Sequence, residues 1–533
     1  MIVNNLVKDV GGKKLLNNVS FILNKGDKVA LVGINGCGKS TLLKIIKGII
    51  PYDDGSINFN NEDVSLLKQE IAIDDYNISV LDYVKRETNI KQTELKLHEL
   101  ENSLNDQTME EYGSVLESYL KLDGYNFNNN LSVILNGLNF NSSLDAPISI
   151  LSGGQKIKVL LSIVLLSNAE IMLLDEPTNN LDIEAIEWLE DYLNKSDKSM
   201  IIVSHDEEFM SNIVNKVMEL KDGCLSEYNM GYDAYVSFKD NEYNEAMIRH
   251  DNLVREKDKL KNQIQKAKEW SNKGISGKSK DNDKIAANFQ KERTSKTAGK
   301  VSRLSKELDG LQGDDGFRSK EDINFFVDVS KEKGNLDIGG ENLVCGYDTF
   351  KIIPLNFNIP FGSRVKIAGP NGSGKSTLIK TIIGDIKPVS GYVIKSSAIK
   401  VGYISQDSLD CVNIDATVYD YLNANNNIDK GFLFTILDKF HIRYDDKDKK
   451  YGTLSPGERT RVNLAKLAIE NVNVLILDEA TNHLDLEAVH ILESVIKTFN
   501  GTIISVSHNR TFNKLLNPDI EIDITNGLVN NKY

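Results

Sequence analysis

Two stretches of this chain read G-x-x-x-x-G-K-S: Gly33-Ile34-Asn35-Gly36-Cys37-Gly38-Lys39-Ser40 and Gly369-Pro370-Asn371-Gly372-Ser373-Gly374-Lys375-Ser376. They lie 336 residues apart, and this repetition constrains the fold more than any other feature. Leu151-Ser152-Gly153-Gly154-Gln155 recurs 303 residues later as Leu454-Ser455-Pro456-Gly457-Glu458. Leu174-Asp175-Glu176 and Ser204-His205 recur at the same offset of 303, as Leu477-Asp478-Glu479 and Ser507-His508. Constant offsets mean a tandem duplication, with 33 additional residues inside the first copy. Gln69 and Gln406 are 337 apart, so the extra material follows them. The segment 84–122 carries Leu95, Leu97, Leu100 and Leu104 among Glu and Lys, without proline. It is expected to form a helical arm.

A chain of 533 residues exceeds what one hydrophobic core organises. We read 1–237 as a first domain carrying the arm, 238–330 as a linker and 331–533 as a second domain. Apolar runs such as 159–166 (VLLSIVLL) and 171–174 are far shorter than the ~20 residues of a spanning helix. The opening MIVNNLVKDV lacks the basic-then-apolar order of a secretory leader. A cytoplasmic chain with no membrane segment is therefore expected. Cys37, Cys224, Cys345 and Cys411 are scattered without metal or disulfide-framework spacing, which fits reduced thiols.

The net charge of −14 conceals an asymmetry. Residues 249–306 hold 17 Lys and Arg against 7 Asp and Glu, so the remainder carries −24. Leu253, Leu260, Ile264 and Ala267 form one helical stripe there, and Val301, Leu304, Leu308 and Leu311 another. Between them lies a Gly/Ser/Lys-rich stretch, 271–284, so an antiparallel helical hairpin with a basic tip is expected. A cationic rod gains affinity for a phosphate backbone by releasing counterions. The acidic remainder disfavours coating of RNA by the whole protein. Lys273, Lys278, Lys280 and Lys284 at the tip, and Lys291, Arg293, Lys296, Lys300 and Arg303 on the returning helix, are the candidate RNA contacts.

Each glycine loop stands between a short apolar strand (27–32, 363–368) and a helix (41–48, 377–384). In that setting backbone N–H groups cradle nucleotide phosphates at a positive helix end. The candidates are Gly33, Asn35, Gly36, Gly38 and Thr41 in one copy, and Gly369, Asn371, Gly372, Gly374 and Thr377 in the other. Lys39 and Lys375 add point charges, and Ser40 and Ser376 suit Mg²⁺. Segments 170–176 (EIMLLDE) and 473–479 (NVLILDE) read as buried parallel strands ending in paired acids. Asp175 and Asp478 can support Mg²⁺ through water, while Glu176 and Glu479 can orient or deprotonate an attacking water. The turns 151–155 and 454–458 start helices, so Ser152 and Ser455 with their glycine N–H groups make anion nests. His205 and His508 follow apolar strands and can hydrogen-bond the same phosphate.

This set of glycine loop, glutamine, LSGGQ, paired acids and histidine, complete in both copies, resembles the ATP-binding cassette (ABC) ATPases. Two cassettes, an arm in the first and a basic helical linker resemble the ABC-F family over nearly the whole chain. The resemblance implies an α/β fold of two tandem P-loop ABC ATPase domains joined by an antiparallel helical hairpin. It implies ATP hydrolysis with Mg²⁺, and ATP held between cassettes facing head to tail. One site would join Gly36, Gly38, Lys39, Ser40, Gln69, Asp175, Glu176 and His205 to Ser455, Gly457 and Glu458. The other would join Gly372, Gly374, Lys375, Ser376, Gln406, Asp478, Glu479 and His508 to Ser152, Gly153, Gly154 and Gln155. Asp182 and Asp485 resemble the D-loop that links the sites. The implied partner is the ribosome, through ribosomal RNA and P-site tRNA, with no membrane and no obligatory protein subunit, as a monomer. Some members are translation factors and others protect ribosomes from antibiotics. The segment 280–300 (KDNDKIAANFQKERTSKTAGK) resembles the latter.

The copies also differ. Pro456 replaces a signature glycine and removes one N–H donor, though proline fits a helix's first turn. Glu458 replaces glutamine, and Ala480 stands where Pro177 follows Glu176. Tyr347 occupies the position expected to stack on adenine, where the first copy has Val10. The site built on Lys39 is therefore expected to be the weaker. Rival readings are a transporter motor subunit, which needs a membrane partner, and a DNA-associated ATPase, whose hairpin would grip duplex phosphates.

Overall fold

Five-residue, mostly aliphatic strands build the centre of each cassette. In the computed structural model the strands Ile171–Asp175, Ser199–Val203, Val474–Asp478 and Thr502–Val506 are buried at every residue. The described residues are all except 35, 69, 73–74, 103–104, 106–107, 276–300, 307–335, 348–349, 371, 406–412, 425–428, 481–485, 508 and 532–533. The chain divides into two units, 1–232 with 322–533, and 233–321.

The first cassette's main sheet runs Val64–Leu66, Ile171–Asp175, Ser199–Val203, Lys28–Val32, Lys216–Lys221, Cys224–Tyr228. All neighbours are parallel except the last pair. The second repeats this order with Val401–Ile404, Val474–Asp478, Thr502–Val506, Arg364–Ala368, Ile520–Asp523 and Leu528–Asn531. Side chains alternate between the two faces of a strand. Thus Val474 and Ile476 enter one apolar cluster and Leu475 and Leu477 another, and a sheet covered on both faces reads as a continuous hydrophobic run. Cutting Leu475 to Ala would cost about 2–5 kcal/mol through the cavity left behind. Each copy adds a three-stranded antiparallel sheet: Lys13–Ile22, Ile2–Val10, Asp54–Asn58 in one, and Leu355–Ile359, Ile338–Val344, Ser390–Lys395 in the other.

The arm departs from one continuous helix. Val80–Glu87, Ile90–Asn102 and Met109–Lys121 are separate helices. Asn89 takes a left-handed φ of 61° and stops the first. Asn105 and Thr108 exchange hydrogen bonds of 2.9 and 3.0 Å and turn the chain before the third. Leu97, Leu100, Val115 and Tyr119 are buried, whereas Leu95 is exposed.

In the other unit, the helix Tyr232–Ile275 continues past Trp270 into the Gly/Ser/Lys-rich stretch. Leu260 and Ile264 bury together with Leu304, with Val301 packed beside them, and residues 301–306 are helical. Leu308 and Leu311 lie outside the described residues, as do Lys278, Lys280, Lys284, Lys291, Arg293, Lys296 and Lys300. Lys273 falls on the helix, and Arg303 is exposed. No helix among the described residues is long and apolar enough to cross a membrane.

Candidate active sites

Each glycine loop leaves a buried strand and starts a helix: Lys28–Val32 leads to Lys39–Ile46, and Arg364–Ala368 to Lys375–Ile383. The helices begin at the lysines, two residues earlier than the pattern suggested. At Gly33, φ is 156° and an added Cβ would lie 2.4 Å from the Leu220 carbonyl oxygen. Only glycine lets the loop turn there. Gly369 repeats this with φ 150°. Lys39 Nζ donates to the carbonyls of Gly33 and Ile34 at 2.7 and 3.3 Å, and Lys375 Nζ to those of Gly369 and Pro370 at 2.8 and 3.1 Å. Both lysines are buried. Burial lowers the Lys375 pKa, opposed by Glu479, Asp478 and Asp182.

The acids end their strands as expected. Glu176 and Glu479 sit just beyond, with left-handed φ of 53° and 51°. Their N–H groups donate to Val203 and Val506 at 2.8 Å, which fixes the turn that aims each carboxylate. Ser40 hydrogen-bonds Asp175, and Ser376 hydrogen-bonds Asp478. Burial raises both aspartates above the ordinary carboxylate range, against those hydroxyl contacts. Tyr403 also donates to Asp478 Oδ2 at 3.2 Å. His205 Nε2 lies 3.2 Å from Glu176 Oε1, while Oε2 is fully enclosed without a hydrogen-bond partner. Burial first and the Asp175 charge second push the Glu176 carboxyl up to about 8. A hydroxyl–carboxylate pair beside a glycine loop is a hard oxygen donor set, and the orphaned Oε2 asks for a proton donor. The residues fit Mg²⁺, a triphosphate and a water.

Ser152 and Ser455 cap the helices Gly153–Leu166 and Pro456–Glu470. Each side chain accepts from the N–H three residues on, and Gln155 or Glu458 accepts in return from the serine N–H. These are complete capping boxes. Burial opposes the Glu458 charge, yet the Ser455 hydrogen bonds, with Lys449 and Arg461 nearby, hold it below the usual range. The turn of the second copy thus places a full negative charge at its own helix N-terminus.

Two clefts bring the copies together. One, of about 420 Å³, is lined by Asp182, Ile183 and Glu184 of the first copy and by Gly369, Pro370, Lys375 and Ser507 of the second. The other, of about 50 Å³, joins Gly33, Lys39, His205 and Glu207 to Val489, Leu492, Glu493 and Phe512. Ser152 and Ser455 line neither cleft. Asp182 caps the helix Ile183–Lys195, bonds Asn139 at 3.1 Å and lies 3.6 Å from buried Lys158. Asn35, Gln69, Asn371, Gln406, Asp485 and His508 lie outside the described residues. Tyr347 and Val10 occupy equivalent hairpin positions, pairing with Phe350 and Lys13, and both are exposed.

Sequence reasoning missed Tyr403 and a charged contact between the copies. Arg510 hydrogen-bonds Glu190, which also accepts from Asn212 at 3.0 Å, and Lys514 reaches Glu208 at 2.7 Å. No motif marks these residues. Their partners lie more than 300 positions away and meet only once both sheets are built.

Known proteins resemble this chain in sequence and in fold. The profile of the ABC transporter family matches residues 16–179 and 352–482. YdiF of Bacillus subtilis, named for ATP binding, is 31% identical over 96% of this chain and 78% of its own length. The ATP-binding protein Uup of Haemophilus influenzae is 32% identical over 93% of this chain and 74% of its own. ABC transporter F family member 2 of Arabidopsis thaliana is 30% identical over 97% and 74%. Among solved structures, an archaeal ribosome recycling factor, aABCE1, bound to the stalk protein aP1, has a TM-score of 0.59 at 18% identity over 97% of this chain and 87% of that one. The RNase-L inhibitor gives 0.59 at 19% identity over 98% and 87%, which establishes a shared fold. The chain belongs to the ABC transporter family, as a tandem-cassette ATPase related to its F branch.

Proposed function

We propose that this ATPase clamps two nucleotides between its cassettes and uses the clamp to drive its basic segment against the ribosome, in the cytoplasm and as a monomer. Each glycine loop holds the triphosphate of its own site. Ser40 with Asp175 and Gln69, and Ser376 with Asp478 and Gln406, would hold Mg²⁺, which would supply positive charge against the charge developing on the leaving ADP. Glu176 and Glu479 take a proton from the attacking water, and His205 and His508 orient the scissile phosphate. An enclosed carboxyl raised to about 8 suits proton transfer near neutral pH. Ser152 and Ser455 reach the opposite nucleotide on closure, and ATP shifts the population towards the closed form by binding it better.

The observation that carries the ribosome reading is charge. Residues 249–306 bear a surplus of ten positive charges inside an otherwise acidic chain. A hairpin of two helices is supported by the burial of Leu260 and Ile264 with Leu304. It would present that charge to ribosomal RNA and P-site tRNA. One protein of the same fold is a ribosome recycling factor, which favours this target over membranes or duplex DNA.

The test is Glu176→Gln combined with Glu479→Gln. With ATP, this variant should stay on ribosomes through sedimentation and stall translation in an extract. Release as fast as the parent, or sedimentation with membranes or DNA instead, overturns the proposal. Raised tolerance to macrolides, lincosamides, pleuromutilins or phenicols on expression would make antibiotic protection the output. Unchanged tolerance with ribosome binding would make it a translation factor.

A further inference from the structure

The strand beside each metal-site aspartate carries a different residue in the two copies. Val401–Ile404 pairs with Val474–Asp478 so that Tyr403 lies beside Ile476, and Val64–Leu66 pairs with Ile171–Asp175 so that Leu66 lies beside Leu173. Tyr403 and Leu66 therefore hold the same register position in the two sheets. The Tyr403 ring packs against the apolar cluster behind the glycine loop, and its hydroxyl donates to Asp478 Oδ2 at 3.2 Å. Asp478 is 3% exposed, so the ring and the Ser376 contact set the carboxylate's orientation rather than solvent. Leu66 has no hydroxyl to offer Asp175.

We propose that Tyr403 is a positioning residue that locks the Asp478 carboxylate for Mg²⁺, so that the site on Lys375 needs less of the metal than the site on Lys39. A carboxylate held by two hydroxyl donors loses little rotational freedom when it takes up a cation or its water. Outer-shell donors of this kind tune metal sites strongly. The inference rests on Asp478 serving Mg²⁺, as proposed above.

The experiment uses the full chain carrying Lys39→Ala, so that the Lys375 site reports. Binding of a fluorescent ATP analogue is followed as Mg²⁺ is titrated. Tyr403→Phe keeps the packed ring and removes only the hydroxyl. It should raise the half-saturating Mg²⁺ about tenfold. Binding of the analogue in excess chelator, and the melting temperature, should not move. A purely structural role would shift those two instead, and that outcome overturns the inference, as does a change in half-saturating Mg²⁺ below about twofold. Asp478→Asn in the same background separates the two claims. If it leaves the Mg²⁺ response intact, the metal reading itself fails. If it abolishes the response while Tyr403→Phe has no effect, only the role of Tyr403 fails.

Discussion

The two cassettes repeat one backbone and diverge in what touches it from outside. Gly33 and Gly369 turn at φ of 156° and 150°, and Glu176 and Glu479 at 53° and 51°. Those values place donors and carboxylates on the same plan twice, because few residues tolerate such conformations and substitution there is costly. The surroundings are unequal. The Lys375 loop opens on the roomy cleft with Asp182 across it, has Tyr403 on its aspartate and Tyr347 on its hairpin. The Lys39 loop faces the narrow cleft, with Leu66 and Val10 at those positions. Its expected partner turn carries the Glu458 charge. Duplication preserved what the backbone requires and left side chains at the cleft free to specialise.

The largest way to break this comparison is to remove each lysine in turn. Lys375→Ala and Lys39→Ala should each weaken nucleotide binding at their own site about 50-fold, the worth of a charge-assisted hydrogen bond to phosphate. The intact sites left behind should differ. The chain that keeps Lys375 should bind ATP about tenfold more tightly than the chain that keeps Lys39, a gap of about 1.4 kcal/mol from stacking and the unequal signatures. Calorimetry on the two variants measures both numbers, and equal residual affinities would abolish the asymmetry.

How far these differences could be read without coordinates depends on where their partners lie. The strands ending in Asp175 and Asp478 were legible, because a sheet covered on both faces must be continuously apolar. The glycine loops were legible because backbone geometry dictates residue type. The helical character of the arm was legible but its division was not, since one leucine periodicity runs through 84–122 and, among the described residues, Asn89 and the Asn105–Thr108 exchange divide it. The antiparallel sheets formed by Ile2–Val10 and Ile338–Val344 carry no chemical motif and went unread. Tyr403 faces an acid 75 positions away and Arg510 one 320 positions away. Such pairs are products of topology, and local spacing does not encode them.

The contact between the helices Glu207–Ile213 and Arg510–Leu516 gives the second test. These helices are repeats of each other, and so are Glu190 and Glu493, which makes Glu207 the counterpart of Arg510. On one edge Arg510 meets Glu190, with side chains only 13% and 10% exposed. On the other, Glu207 and Glu493 line the narrow cleft with the same sign of charge. Arg510 thus pins the cassettes along its edge. Arg510→Met strands the half of Glu190 that Asn212 does not satisfy, and should cost about 3 kcal/mol. Hydrogen exchange in those two helices should speed up by about 100-fold for that loss. Glu207→Met removes one of two like charges lining the narrow cleft and should leave the rates within about threefold. Lys514→Ala should do the same, because its side chain is 73% exposed and such pairs contribute little. Equal acceleration by Arg510→Met and Glu207→Met would mean both edges bear load.

The smallest effect concerns the base. Val10 and Tyr347 stand at one hairpin position, both more than half exposed. An exposed aromatic there has a free face for adenine, while valine offers only a small apolar patch. Val10→Tyr should therefore tighten ATP at the Lys39 site by about 1 kcal/mol, roughly fivefold, without altering the Lys375 site. Tyr347→Val should loosen the latter by a similar amount. Comparing ATP with inorganic triphosphate is the sharper readout, since triphosphate lacks the adenosine and offers the ring no base to stack on. Val10→Tyr should improve ATP and leave triphosphate binding as it was. A gain for both ligands would place its effect on the glycine loop, and adenine stacking would no longer account for the difference between the two sites.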